Sequence, residues 1–282
     1  MASDSTGSGE SRRSGPALGG RMVDPEPFVV IDEDFRRRAE GGFYDKFYAR
    51  VSNEFLEWRA RGAVTKCDNI LALASGLRPE TVLEVGAGTC SVIERLSQLN
   101  FSRKFYALET SPSAIEYIRS HIRFPGFAGV YLADSADTGL PEDRFDLGIL
   151  SHVLEHVPNP AAILREALRI CRHVVLEVPL EDSLLGSIDW LLREHILGSD
   201  RTNNPSGHVN FFNVHRVRDL VTLSGGTRIR ERAYRPSLDV VARGSGRADL
   251  RLEIRHRLSN LLAAATGPRV VLTFYGALVR RT

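Results

Sequence analysis

Between residues 80 and 180 two kinds of apolar pattern alternate. Short β-branched runs, TVLEVGA (81–87), KFYALET (104–110), GVYLAD (129–134), FDLGILS (145–151) and HVVLEVPL (173–180), read as strands. Between them, SVIERLSQL (91–99), SAIEYIRSHI (113–122) and PAAILREALRIC (160–171) repeat apolar residues every three or four positions and read as amphipathic helices. Strand alternating with helix, with strands apolar on both faces, predicts an α/β fold: a Rossmann-like, mostly parallel sheet with helices on both faces. In such a sheet ligands bind beyond the carboxyl ends of the strands.

The flanks depart from this rhythm. Residues 33–75 carry helical spacing with a break at Gly41-Gly42, an N-terminal helical extension. Residues 181–213 hold a helical stretch (184–197) and a polar loop with Asn203, Asn204, Pro205 and Gly207, a lid-like insert. A helix is expected over 214–226. Strands at 228–236 and 269–281 would form an antiparallel hairpin joined through a helical 248–265. The Ser/Gly/Arg-rich start reads as a disordered tail. The expected division is a tail (1–25), a helical cap region (26–79) and one domain (80–282) containing the insert 181–213.

Composition narrows the class. The 282 residues are 43% hydrophobic, enough for a sizeable core, and the net charge of +2 gives no reason to expect nucleic acid as a partner. No apolar run approaches the roughly 18–20 residues that span a bilayer, and the N-terminus lacks the apolar stretch of a secretory signal. Three widely spaced cysteines argue against a disulfide framework, so a cytoplasmic location is expected. Three of the 37 basic residues are lysines, which suggests a GC-rich bacterial genome.

The chemistry begins at LEVGAGTC, which closes the first strand. Gly86, Ala87 and Gly88 let backbone approach a ligand, and the helix that follows offers unpaired N–H groups. A dinucleotide fingerprint would need Gly or Ala where Ser91 stands. Glu84, two residues before the first glycine, would repel a pyrophosphate and favour a cationic amino group. Glu109, 21 residues after Gly88, stands where an acid takes ribose hydroxyls, and Asp134 ends the third strand where an acceptor could meet an adenine amine. A cationic amino-acid end, a ribose and an adenine describe S-adenosylmethionine (SAM).

The segments VLEVGAGTC, ALETSPSAIEYIR, ADSADTGLPEDRFDLGILSHVLEHVPNP and GHVNFF resemble the class I SAM-dependent methyltransferases, in the broad group that includes ubiquinone- and menaquinone-pathway enzymes and many natural-product methyltransferases. The resemblance covers roughly residues 80–225. It implies that Glu84, Gly86, Ala87 and Gly88 hold the methionine end of SAM, that Glu109 takes the ribose, and that Asp134 with Ser135 faces the adenine. It places Ser151 and His152 near the transferable methyl. Cys90 stands where the family usually has a third small residue, often glycine.

The pentad His152-Val-Leu-Glu155-His156 also fits the H-x-x-E-H pattern of a class of zinc proteases. On a helix, residues i, i+3 and i+4 share a face, so these three side chains could meet a metal. The surrounding cofactor motifs argue against a hydrolase. Some quinone O-methyltransferases carry acid-x-x-Glu-His here and hold a divalent cation, but His152 replaces that first acid, and no metal is expected. His152 or His156 could serve as general base, and His208 in GHVNFF falls where such folds place acceptor contacts. The sequence thus points to methyl transfer to a small-molecule acceptor, with bacterial specialised metabolism as the setting. A SAM-binding protein that does not methylate, and a quinone- or lipid-type methyltransferase, stand as alternatives.

Overall fold

A computed structural model describes residues 29–30, 36–37, 39–182, 207–235, 237–238, 250–266 and 273–282. The elements run β1 (Val29–Val30), α1 (Phe43–Tyr48), α2 (Asn53–Leu73), β2 (Thr81–Val85), α3 (Ser91–Gln98), β3 (Lys104–Glu109), α4 (Pro112–His121), β4 (Phe127–Leu132), β5 (Phe145–Ser151), a 3₁₀ turn (Leu154–His156), α5 (Pro160–Ile170), β6 (Cys171–Leu180), α6 (Val214–Leu223), β7 (Gly226–Tyr234), α7 (Leu250–Thr266) and β8 (Thr273–Arg281). The tail and the expected insert helix at 184–197 lie outside the described residues.

The strands form one sheet in the order β1-β4-β3-β2-β5-β6-β8-β7. Strands β1 to β6 pair in parallel, whereas β8 runs antiparallel to both β6 and β7. The sheet is therefore mixed. The expected C-terminal hairpin exists, and its second strand inserts between β6 and the first. Alternate strand residues face two apolar layers. Val82, Ala107 and Val175 pack under α2, α3 and α4, and Leu83, Leu108 and Val174 pack under α5 and α6. Each large aliphatic side chain buried this way contributes roughly 1.5–3 kcal/mol.

Local chemistry starts the helices. Ser52, Ser111, Asn159 and Asn213 accept hydrogen bonds from the N–H three residues on, and Pro112 and Pro160 occupy the first turns of α4 and α5. The expected break at Gly41-Gly42 is present, with Gly42 capping α1, and a further break precedes Ser52. The pentad is not on a helix that begins at His152. His152 has φ +59, in the left-handed region, and only Leu154–His156 make a short 3₁₀ turn. The three therefore do not share an α-helical face, although His152 Nδ1 still comes to 3.1 Å from Glu155 Oε1.

Candidate active site at the carboxyl edge of the sheet

Strand β2 ends in the glycine turn. Gly86 (φ +69) and Gly88 (φ +57) both lie in the left-handed region. A side chain at Gly86 would sit 2.7 Å from Val153 Cγ2, and one at Gly88 would collide with the Tyr48 hydroxyl. The Gly86 N–H donates to the Leu108 carbonyl at 2.8 Å, which ties the turn to β3, and Ala87 is fully buried. Cys90 follows with φ +59, fully buried, at the N-cap of α3 and without a side-chain cap bond.

Glu84 points to the face covered by α2. It is buried, and its Oε2 accepts from Ile93 N at 3.4 Å. Burial raises its carboxyl from 4.5 to about 7, against the pull of the Arg59 and Lys66 charges. These two cations come from the expected cap region, spaced seven residues apart on one face of α2. Burial lowers Lys66 to about 8, with Arg59 in the same direction and Glu177, Glu155 and Glu84 opposing. Arg59 Nε is buried without a hydrogen-bond partner.

Glu109 is buried at the end of β3. Its two oxygens accept from the Gly88 N–H and, at 3.0 Å, from Thr110 N–H. Burial raises its carboxyl despite these bonds. Asp134 lies two residues beyond β4 and is exposed, with Oδ1 accepting from Ala136 N at 2.8 Å, and Ser135 beside it is buried. Helix α1 covers the glycine turn. Asp45 accepts from Ser113 N at 2.8 Å and from Ser111 Oγ at 3.3 Å, which docks α1 on the start of α4. Tyr44, pushed up to about 12 by burial and the Glu155 and Glu109 charges, faces both acids.

A second polar group stands at β5 and β6. Ser151 and Glu177 are register partners, and Ser151 Oγ donates to Glu177 Oε2 at 3.0 Å. Glu177 Oε1 also accepts from Asn69 Nδ2 at 2.7 Å and Tyr234 OH at 2.6 Å. His152 packs edge-on to Phe274 at 4.7 Å between ring centres, and its Nε2 is buried without a hydrogen-bond partner. Burial, with the Lys66 charge next, holds this imidazole well below 6.5 and hence neutral.

The structure brings Glu84, Gly86, Ala87, Gly88 and Glu109 together around one turn, with Ser151 and His152 at the neighbouring strand end. Asp134 and Ser135 flank them at the end of β4. His156 and His208 form a separate pair, ring centres 4.7 Å apart. Sequence reasoning missed Arg59, Lys66, Asn69, Tyr44, Tyr48, Glu177, Tyr234 and Phe274. The heptad spacing of Arg59 and Lys66, with Asn69 one turn on, carried a signal for the first three. Cys67, Cys90 and Cys171 are buried free thiols. Among the described residues, no helix is long and apolar enough to cross a membrane.

The glycine turn is packed closely by Val153 and Tyr48, and two buried carboxylates, Glu84 and Glu109, stand beneath and beside it. The family described as "Methyltransferase domain" matches residues 55–226. A segment of cyclosporin synthetase from Tolypocladium inflatum is 31% identical over 163 residues, 51% of this chain and 1% of that protein. The ubiquinone biosynthesis O-methyltransferase of Proteus mirabilis is 27% identical over 101 residues, 35% of this chain and 40% of that protein. The chain thus matches well under two thirds of either relative's length. Among solved structures, a SAM-dependent methyltransferase from Archaeoglobus fulgidus aligns with TM-score 0.52 at 14% identity, covering 85% of this chain and all of that one. Magnesium protoporphyrin IX methyltransferase from Synechocystis, solved with S-adenosylhomocysteine (SAH), aligns with TM-score 0.51 at 15% identity, covering 88% and 93%. At such identities these two structures speak for the fold alone. With the family match spanning more than half its length, the chain belongs to the methyltransferase domain family, and it has the fold of SAM-dependent methyltransferases.

Proposed function

We propose that the enzyme methylates a small-molecule acceptor, at oxygen, nitrogen or carbon, in bacterial specialised metabolism. The observation that carries this reading is the pairing of the glycine turn with a neutral imidazole at the end of the neighbouring strand, whose Nε2 has no hydrogen-bond partner. In this reading Glu84, Gly86, Ala87 and Gly88 receive the methionine end of SAM, Glu109 the ribose, and Asp134 and Ser135 the adenine. The buried Arg59 Nε, which has no hydrogen-bond partner, and the left-handed backbone at Gly86 and Gly88 support the fit. SAM supplies a sulfonium-bound methyl, and the chain's own task is to align the acceptor with it and exclude water. Ser151, held by Glu177, lines that meeting point. His152, whose Nε2 has no partner, can take a proton from a hydroxyl acceptor. The similarity to the cyclosporin synthetase segment, itself part of a natural-product enzyme by name, supports the metabolic setting.

The test is transfer of labelled methyl from SAM to a small-molecule extract. SAH binding without any transfer would move the protein to the alternative of a SAM-binding protein that does not methylate, acting on its ligand by other chemistry. His208 provides a sharper check. It lies near the end of the insert, its ring centre 4.7 Å from that of His156. His208→Ala should lower turnover at least about tenfold while SAH affinity changes less than about threefold. Full turnover, or a parallel loss of cofactor binding, would remove His208 from the acceptor side.

Glu84 gives a pH signature. Its native carboxyl lies above the unfolded value, so the native protein binds more protons than the unfolded chain between pH 4.5 and about 7. Stability of the ligand-free enzyme therefore falls as pH rises through that window. A cationic ligand favours the ionised form, so SAH affinity should rise roughly fivefold to tenfold from pH 6 to 8, with proton release on binding. Calorimetry in buffers of different ionisation enthalpy measures both. Glu84→Gln should bind more weakly and with a flat profile. An equally sloped profile in that variant would assign the dependence to another group.

A further inference from the structure

Helix α2 turns two positive charges inward. Arg59, Ala63, Lys66, Ile70 and Leu73 recur at three- and four-residue spacing, which puts them on one face of the helix. Ala63, Ile70 and Leu73 are at most 2% exposed, so this face lies against the sheet. Neither Arg59 nor Lys66 forms a hydrogen bond or ion pair among the described residues. The Arg59 charge acts at the glycine turn, on Glu84 and Tyr48. Lys66, two turns further on, has no part in the cofactor assignments above.

Position along the helix brings Lys66 toward His152. Near the end of α2, Arg230 in the middle of β7 donates to the Leu73 carbonyl at 2.8 Å. Asn69 instead bonds Glu177, which also holds Tyr234 at the end of β7. Moving back along α2 thus climbs toward the carboxyl edge of the sheet. Lys66, three residues before Asn69, stands about 4.5 Å higher along the helix axis. His152 follows Ser151 at that edge and donates its N–H to the Glu177 carbonyl at 3.0 Å. Among the charges that act on His152, that of Lys66 is the strongest.

The groups facing Lys66 are Arg59 on its own helix, Glu84 of β2, Glu155 of the 3₁₀ turn and Glu177 of β6. The last two acids have partners of their own. Glu177 accepts from Asn69, Tyr234 and Ser151, and Glu155 lies 3.1 Å from His152 Nδ1. The adjoining wall is aromatic: the Phe274 ring centre lies 4.7 Å from that of His152 and 5.5 Å from that of Tyr234. An ammonium and an imidazole Nε2, each without a partner, therefore stand near one another beside apolar rings.

We propose that Lys66 selects an acceptor that reacts through an acidic hydroxyl, a phenol or enol, by holding its oxygen as the anion beside His152. This rests on the methyl-transfer reading above and narrows it to oxygen. An ammonium in a largely buried site favours an oxyanion and disfavours a protonated amine. His152 Nε2 takes the hydroxyl proton. The oxygen forms its bond to the methyl carbon as the carbon–sulfur bond breaks, and that electron pair stays with sulfur. Burial lowers Lys66 to about 8, and an anion at its side draws it back up.

The test uses the full-length enzyme labelled with carbon-13 at lysine Cε. The chain has three lysines, so Lys66→Met assigns the Lys66 signal. SAH is bound first, followed by para-nitrophenol or its uncharged analogue para-nitroaniline. Nitrophenol should bind as its yellow anion and raise the proton affinity of Lys66 at least about tenfold. Nitroaniline should bind at least about tenfold more weakly and leave the Lys66 titration in place. Lys66→Met should weaken nitrophenol binding at least about tenfold with SAH affinity within about threefold, and Lys66→Arg should recover most of that loss. Nitrophenol affinity in Lys66→Met within about threefold of wild type overturns the proposal. So does a Lys66 signal that nitrophenol leaves unmoved, or nitroaniline bound as tightly as nitrophenol. Parallel loss of SAH in Lys66→Met would put the residue in the cofactor site and overturn it too. An SAH-loaded enzyme that takes no nitrophenol at millimolar concentration also overturns it, whereas an enzyme that takes no SAH faults the cofactor reading instead.

Discussion

Replacing Glu109 with alanine should weaken SAH binding by about 100-fold and leave the enzyme folded. Two effects add. The proposed ribose bonds to a carboxylate are worth up to roughly 1.5–3 kcal/mol each. The same carboxylate accepts the Gly88 and Thr110 N–H groups, so its removal also leaves the glycine turn without its brace. About 2.7 kcal/mol, a conservative share of that sum, corresponds to a hundredfold change. Glu109→Gln keeps the shape but can no longer offer two acceptor oxygens, and it should fall between alanine and wild type. Calorimetric titration with SAH decides, and circular dichroism on the same samples checks folding. A dissociation constant within about threefold of wild type in the alanine variant would show that Glu109 is a bystander to cofactor binding.

Gly276→Val should cost about 3–5 kcal/mol of folding stability. Gly276 sits on β8, opposite Glu177 on β6 and under helix α2. A Cβ there would lie 2.6 Å from Asn69 Nδ2, 2.8 Å from Leu73 Cδ1 and 3.4 Å from the Leu176 carbonyl oxygen. Neither side chain can yield cheaply, because Leu73 is core and Asn69 is bonded to Glu177. Overpacking of this kind costs roughly 1–3 kcal/mol, and depriving the buried Glu177 of a donor costs a further 1–3. Helix α2 also carries Arg59 and Lys66, so its displacement should weaken SAH binding in the same variant. Urea denaturation monitored by tryptophan fluorescence gives the stability change. A valine variant within about 0.5 kcal/mol of wild type would show that α2 rides more loosely on the sheet than these distances imply.

The alternation of strand and helix, the order of the cofactor motifs and the C-terminal hairpin were legible because each rests on a local pattern. The period of the apolar residues, caps such as Ser111-Pro112 and Asn159-Pro160, and the Glu109 spacing from Gly88 all lie within about twenty residues. What stayed hidden depends on distant pairing. Nothing near Glu177 announces that Asn69 and Tyr234, 108 residues before and 57 after it, will bind it. Nothing near His208 announces His156. The insertion of β8 between β6 and β7 is likewise a property of the whole sheet. The pentad's local form was hidden for a different reason. Five letters do not show that His152 takes a left-handed backbone and that only Leu154–His156 make a 3₁₀ turn, although His152 Nδ1 still comes to 3.1 Å from Glu155 Oε1.

Cys90 bears on how proteins of this kind are found. It occupies the left-handed conformation that glycine normally supplies at the third place of the turn, and its small buried side chain is accommodated there. The motif is therefore a run of backbone dihedrals before it is a run of letters. A genome search that demands the third glycine passes over this chain, although Cys90 adopts a left-handed backbone at that place. A search that accepts any small residue at that place, and asks instead for the acid two before the first glycine and the acid twenty-one after the second, would retain it.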